Sequence, residues 1–513
     1  MDVVATTVFI AIFAFITLLG FVSAHWRKGD MSQLHEWGLG GRRFGTWVTW
    51  FLIGGDLYTA YTFIAVPALV FGAGALGFFA VPYTVLVYPL VFAILPRLWV
   101  VARQHNYVTA SDFVAGRYNN RGLALAIAIT GIVATMPYIA LQLVGIQVVI
   151  GGLGFPTGSG LVGDLPLIIA FVILAAFTYT SGLRAPASIA IVKDLLVYVT
   201  VIALIIVVPI KMGGFGQIFA AIPPEKLLLP PVKDGNTGQI SFFTTLAFGS
   251  ALALMLYPHA TTAVLSAKGP NTLRRNWVFL PAYSLVLGLI AMLGYFAYAS
   301  GIDKSPELAP YFAQYKAQFA MPGLLLHFFP SWFVGLGFAA VAIGALVPAA
   351  IMSIAAANLF TRNIYKAYLN PNCSTEQETS MAKLFSLIVK FGALMFILFL
   401  PLTYAIQLQL LGGILILQTL PAIVCGIYTR WFDAKALLLG LAAGLVWGIW
   451  AASLTGFQTS GYSLHVGGLV IPAYIGLYAL ILNFAVSIVA NLVIRVLGMA
   501  NREDATVAAD YIG

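Results

Sequence analysis

The stretch Trp50–Gly74, WFLIGGDLYTAYTFIAVPALVFGAG, decides how the rest of the chain is read. It is apolar and long enough to cross a bilayer, yet Asp56 follows directly on Gly54-Gly55 and stands well before Pro67. A carboxylate at membrane depth costs about 2.5–3.5 kcal/mol on insertion scales, which makes Asp56 a functional-site candidate. The two glycines weaken the helix beside it. A helix break at that depth persists only where the freed backbone is buried in protein or lines a cavity. The plainer alternative is a glycine-flexed span whose Asp pairs with a lysine for structure alone.

Working outward, the 513 residues are 61% hydrophobic and 8% charged, against about 25% charged for a soluble domain. With a mean hydropathy of +0.96, the chain reads as a polytopic membrane protein embedded in the lipid bilayer. Its first apolar run, residues 3–24, lacks a basic leader and a small-residue cleavage signature, so it reads as a retained span. Cys373 lies in a polar loop and Cys425 in an apolar span, which gives neither a disulfide framework nor a metal set. The net charge of +9 comes from single or paired basic residues in loops, a topology signal rather than a nucleic-acid surface.

Hydropathy predicts thirteen spans, at 4–24, 46–71, 77–101, 122–149, 163–180, 187–210, 241–266, 277–300, 332–358, 383–402, 404–427, 436–455 and 471–496. With the N-terminus outside, nineteen loop Lys and Arg residues fall inside. Only Lys211, Lys226, Lys233, Lys304 and Lys316 fall outside, so an outside N-terminus and a cytoplasmic C-terminus are expected. Lys193 and Lys390 remain within spans. The outer segments after Lys211 and Gly301 are too short for domains and have room for short surface helices. The inner segment NYVTASDFVAGRY, residues 106–118, predicts a helix capped by Thr109 or Ser111 with Phe113 and Val114 toward the bilayer. Two spans are interrupted: the second at Gly54-Gly55, the seventh at Gly249 and Tyr257-Pro258-His259. Matching breaks at the head of two five-span units point to a solute site between inverted repeats.

Several short motifs then fall in a recurring order. Gly40-Gly41-Arg42 with Gly45 and Trp47 precede the second span, and Tyr138, Gln142 and Gly145 mark the fourth. Tyr179–Ala185 (YTSGLRA) joins spans five and six, followed by Tyr257-Pro258-His259, Ala267-Lys268 and Arg274-Arg275. Thr361, Tyr365, Pro421, Gly426, Tyr428, Arg430, Gly440 and Gly444 complete the set. Together they resemble the sodium:solute symporter family, the group that contains proline, pantothenate and sugar symporters. That resemblance implies an all-α integral membrane protein of thirteen transmembrane helices, with the LeuT-type five-plus-five inverted repeat. The expected division is 1–45 for the leading helix and loop, 46–210 for the first repeat and 211–240 for an external loop. The second repeat follows at 241–427, then the trailing helices and cytoplasmic tail at 428–513. The runs GGDLYTAYTFIAVP and ALVPAAIMSIAAANLFTRNIY are most similar to bacterial monocarboxylate permeases for lactate, pyruvate and related acids, alanine included.

Family members that use sodium hold it between the second and ninth spans, on carbonyls of the former and a hydroxyl pair and a carbonyl of the latter. Carried onto this chain, the carbonyls are those of Gly55, Tyr58 and Gly344, while the hydroxyl positions fall on Val347 and Pro348. Neither side chain offers oxygen, and a hard cation needs an oxygen shell, so the sodium site reads as vestigial. The alternative is a shifted register in which Ser353 supplies a hydroxyl. The sixth span, ASIAIVKDLLVYV, has Ala190 where relatives carry a sodium-assisting residue, and Lys193 about one turn beyond. A lysine ammonium there could stand in the ion's place, loading and releasing a proton with Asp56 as counter-ion. The competing readings are that Lys193 snorkels to an interface or pairs with Asp194 as fixed structure.

A short carboxylate needs N–H dipoles and a few polar side chains beside an apolar lining. The candidates are Tyr58, Thr59, Thr62, Tyr138, Gln142, Tyr257, His259, Tyr404 and Gln407. Each also has a packing reading, and His259 equally suits a buried hydrogen-bonding role beside Pro258. Lys390 is expected to snorkel at the inner end of the tenth span. No phosphate cradle, metal spacing or catalytic constellation is present, so the chain does not read as an enzyme or an ATP-driven pump. The expectation is a secondary active importer of small monocarboxylates in a bacterial inner membrane. It would work by alternating access as a monomeric unit, without cofactor, coupled to H+ with Na+ as the alternative. Other readings are a sodium-coupled symporter of another small organic solute, a sensory membrane domain, against which the short segment after Gly498 argues, and a channel.

Overall fold

The second span departs from regular helix where its glycines stand. The protein is described here by a computed structural model covering residues 2–25, 29–55, 58–157, 164–399, 405–500 and 503–512. Helix α1 runs Val3–Val22 and α2 runs Thr46–Gly55. The chain resumes as a wide π-turn over Tyr61–Ala65 and continues into α3, Val66–Ala73, with Pro67 in its first turn, where a missing N–H costs nothing. The following helices are α4 (Ala80–Gln104), α5 (Ala110–Tyr118), α6 (Arg121–Gly152), α7 (Leu165–Ser181) and α8 (Arg184–Lys211). Next come α9 (Gly238–Leu254) and α10 (Pro258–Leu265), the two halves of the seventh span, bent by 46° at Tyr257-Pro258. Then follow α11 (Pro281–Ser300), α12 (Ser331–Phe360), α13 (Thr375–Phe399), α14 (Ala405–Ile416), α15 (Ala434–Ser453) and α16 (Ile475–Val496).

Among the described residues, nine helices are long and apolar enough to cross a membrane, ten if α9 and α10 count as one span. The thirteen expected from hydropathy is therefore not the number that helix length and composition return. Breaks split some apolar runs into pieces such as the ten residues of α2, and α7 has only seventeen. The fold is also not all-α. Strands Gly461–Val466 (β1) and Leu469–Tyr474 (β2) pair antiparallel. They turn through Gly467-Gly468, both at positive φ, the conformation that a tight two-residue hairpin demands. The sequence hid β2 because Leu469 onward reads as an unbroken apolar lead-in to α16. The hairpin is anchored on the start of α9: Thr237 N–H donates to Val470 O at 3.0 Å and Ser241 Oγ to Pro472 O at 2.7 Å.

Helix α12 lies at the centre, its most apolar stretch wholly enclosed by protein, whereas α1 lies at the periphery with most of its surface outward. Short helices do occupy the segments after Lys211 and Gly301. Helix α5 forms as expected and its N-cap is Thr109, in a capping box with Asp112. Phe113 and Val114 do not face the bilayer; both are fully buried. The chain end folds back over α5, with Ala505 N–H donating to Gly116 O at 2.9 Å, Arg117 paired to Asp504 at 2.7 Å and Tyr511 edge-on to Phe113.

Candidate functional site

Two glycines end α2, and the space above each is taken by a neighbour. A Cβ on Gly54 would fall within 2.6 Å of the Tyr283 ring, and one on Gly55 would lie 2.9 Å from Lys193 Nζ. The small residues thus weaken the helix and also admit α8 and α11 against its end. Beyond the break the backbone donors are satisfied locally: Ala60 N–H reaches Gln142 Oε1 at 3.0 Å and Tyr61 N–H reaches Thr59 Oγ1 at 3.0 Å. Gln142 Nε2 in turn donates to Tyr138 O at 3.3 Å. Thr59 and Gln142, expected at the substrate, therefore cap the broken helix.

Lys193 extends from α8 into the gap. Its Nζ donates to Gly55 O at 2.5 Å and to Tyr58 O at 3.0 Å, and lies 3.0 Å from Asp194 Oδ1. Lys193 and Asp194 are both fully buried. Asp194 Oδ2 accepts from Tyr283 OH at 2.6 Å, while Tyr58 OH donates to Tyr283 O at 3.2 Å. The rings of Tyr58, Tyr198 and Tyr283 pack with centroids 4.6–6.1 Å apart, excluding water from the pair. Asp56 lies outside the described residues, so the visible carboxylate partner of Lys193 is Asp194.

From the opposite side α12 approaches the same carbonyls. A Cβ on Gly344 would come within 3.9 Å of Tyr58 O. Val347 and Pro348 are buried on the same helix. Pro348 has no N–H for the residue four back, so the Gly344 carbonyl lacks its ordinary helical donor. Ser353, the hydroxyl of the alternative register, is buried on the same helix and donates to Ala350 O at 2.8 Å, which leaves its oxygen lone pairs open.

A second cluster gathers around the other break. The rings of Tyr138, Tyr257 and His259 lie 5.1–5.4 Å apart and are buried. Tyr257 OH donates to Gln409 O at 2.9 Å, tying α10 to α14. Thr62 is buried in the π-turn, and Gln407 is half-buried with no partner for its Oε1 among the described residues. Tyr404 lies outside the described residues. Two polar groups that the sequence reading passed over join this region: the buried Tyr61 OH and Gln409 Oε1, neither with a hydrogen-bond partner among the described residues. Their signal was a polar atom on an otherwise apolar segment, the π-turn for Tyr61 and α14 for Gln409. A cavity of about 20 Å³, lined by Ser111, Pro258, Thr261, Thr262 and Thr419 among others, lies against α10. Lys390 does not snorkel: it is fully buried, with no partner for Nζ among the described residues, because its face of α13 meets other helices rather than lipid.

A broken second span, a broken seventh span and a cation held between α2, α8 and α12 form the layout of a solute carrier, and residues 37–444 match the Sodium:solute symporter family. The chain belongs to the sodium:solute symporter family. It is 50% identical over 495 residues, covering 95% of this chain and 96% of the relative, to a protein of Rhizobium johnstonii named monocarboxylate transport permease protein. It is 23% identical over 392 residues to the sodium/proline symporter of Escherichia coli, covering 74% of this chain and 73% of that one. Among solved structures, a Na+-coupled sialic acid symporter in a substrate-bound, outward-open state superposes with a TM-score of 0.77 at 14% identity. That match covers 97% of this chain and 99% of the other and fixes the LeuT-type fold. This family member is a multi-pass membrane transporter rather than an enzyme.

Proposed function

We propose that this symporter imports small monocarboxylates, lactate and pyruvate and also alanine, by alternating access, driven by protons rather than sodium. The observation that carries the reading is the Lys193 ammonium within hydrogen-bond reach of the Gly55 and Tyr58 carbonyls, the positions expected to hold sodium in relatives. Val347 and Pro348 add no oxygen there, so a free cation would find a poor shell. A lysine can instead bring a positive charge by taking a proton from one side and remove it by releasing that proton to the other. Asp56 and Asp194 supply compensating carboxylates. The proposed substrate contacts are Tyr58, Thr59, Thr62, Tyr138, Gln142, Tyr257, His259, Tyr404 and Gln407, and the helix-terminal N–H dipoles of α10 suit a carboxylate. The 50% identity to a protein named for monocarboxylate transport supports that substrate class. The repeats would be 46–210 and 241–427, in a bacterial inner membrane, N-terminus outside and C-terminus cytoplasmic, with one chain as the working unit.

The test is lactate uptake into proteoliposomes under an imposed pH gradient, with and without sodium. Uptake should be undiminished in sodium-free buffer and abolished by a protonophore; collapse without sodium refutes proton coupling. The second reading, a sodium-coupled symporter of another solute, draws on relatives named as sodium symporters. Sodium-dependent uptake of proline or pantothenate with none of lactate would establish it.

A further inference from the structure

Lys390 sits fifteen residues into α13, about 22 Å along the helix from Thr375. Its side chain is wholly buried and its Nζ has no hydrogen-bond partner among the described residues. Local packing fixes its depth. Phe385 stacks on Phe360 of α12 at 3.8 Å, and a Cβ on Gly392 would meet Met136 of α6 at 2.8 Å. Lys390 therefore lies along α13 between these two contacts, among α6, α12 and α13.

The elements packed most closely on α13 offer it no counter-ion. Helix α12 has no ionisable side chain along its length. Helix α6 contributes only Arg121 at its first residue and Tyr138. Helix α7 contributes only Tyr179, whose ring lies under Lys383. The π-turn after α12 and the short helix Leu34–Leu39 bring Arg362, Tyr365, Lys366, Tyr368, His35 and Glu36. Arg362 and Lys366 there pair with Glu378, and Glu36 with Arg43 and Arg184. On α13 itself Glu376 and Glu378 stand in the first turn, about three turns or more from Lys390. An ammonium without a counter-ion in a dry interior is costly, and a buried amine in a span is a functional-site hypothesis by default.

We propose that Lys390 is a second proton-binding site of the transport cycle, empty in the packed arrangement seen here and loaded when the α12–α13 interface opens to water. The neutral amine takes one proton from the water of one side and returns it to the other. Resting on the reading above, in which Lys193 carries a proton and the solute is a carboxylate anion, two protons then accompany each anion. Each cycle moves one net positive charge, whereas Lys193 alone would make transport electroneutral.

The test uses full-length protein in sodium-free proteoliposomes with lactate as probe, a pH gradient, and voltage clamped with potassium and valinomycin. Wild type should take up two protons per lactate, and an interior-negative voltage should accelerate it several-fold, as moving one charge through the membrane potential requires. K390M should retain pH-driven uptake, fall to one proton per lactate and lose the voltage response. Wild-type uptake that ignores voltage, or K390M that keeps the full response, overturns the proposal. A wild-type count of one proton per lactate overturns the proposal even if K390M does not fold. Uptake that collapses without sodium refutes the role of Lys193 alone, and Lys390 is then judged by whether K390M moves one charge fewer per lactate. A protein that takes up no monocarboxylate refutes the function proposed above and the proton count with it.

Discussion

Lys193 and Lys390 are the same residue at the same burial, each fully enclosed in a helix bundle, yet their surroundings are opposites. Lys193 faces two backbone carbonyls and a carboxylate that is itself held by Tyr283. Among the described residues, Lys390 faces nothing that accepts its hydrogens. Burial alone thus does not define a lysine's role; the geometry of its acceptors does. One amine is gripped by acceptors and the other meets none among the described residues, so removing each should have opposite consequences for stability.

The largest effect is expected for K193M. Breaking a buried ion pair by removing one partner costs about 3–5 kcal/mol, and uptake should fall by roughly two orders of magnitude, the equivalent of about 2.8 kcal/mol in transport free energy. Thermal unfolding and lactate uptake of the purified variant check both. G55A comes next: its Cβ would press on the Lys193 Nζ at 2.9 Å, the far end of a flexible chain. Fold and unfolding temperature should therefore nearly survive while uptake falls about tenfold, or about 1.4 kcal/mol. Y283F removes one hydrogen bond to a buried carboxylate, worth about 1.5–3 kcal/mol, in stability and with a displaced pH profile of uptake. An unchanged pH profile would show that Tyr283 only packs. The smallest change in stability is expected for K390M, where an unpaired amine gives way to an apolar chain of similar size. Its unfolding temperature should stay within about 1 kcal/mol of wild type or rise, and a large loss would erase the contrast between the two lysines.

The sequence carried the contrast only halfway. Gly54-Gly55, Pro67 and Tyr257-Pro258-His259 announced their breaks, because glycine and proline at membrane depth have few other uses. The placement of Lys193 one turn past Ala190 also pointed to the carbonyls it now contacts. Its pairing with Asp194 is the less legible feature, since neighbouring residues on a helix point about 100° apart and only a long side chain can curl back. The environment of Lys390 was hidden because hydropathy does not tell a helix face that meets lipid from one that meets protein. The β-hairpin was hidden for a related reason: an apolar strand leading into an apolar helix shows no change of composition. Tyr61 and Gln409 are not legible in the sequence because an aromatic or amide on an apolar segment resembles packing until its polar atom is seen without a partner among the described residues.

The grip of Gly55 and Tyr58 on the Lys193 ammonium has a further consequence. A cation captured from solution occupies its site in proportion to its concentration outside. One fixed to a four-carbon chain is always present at a local concentration set by the length of that chain. If Lys193 carries the proton as proposed, occupancy of this cradle follows no binding curve in any external salt, and the free variable is whether the nitrogen that fills it is charged.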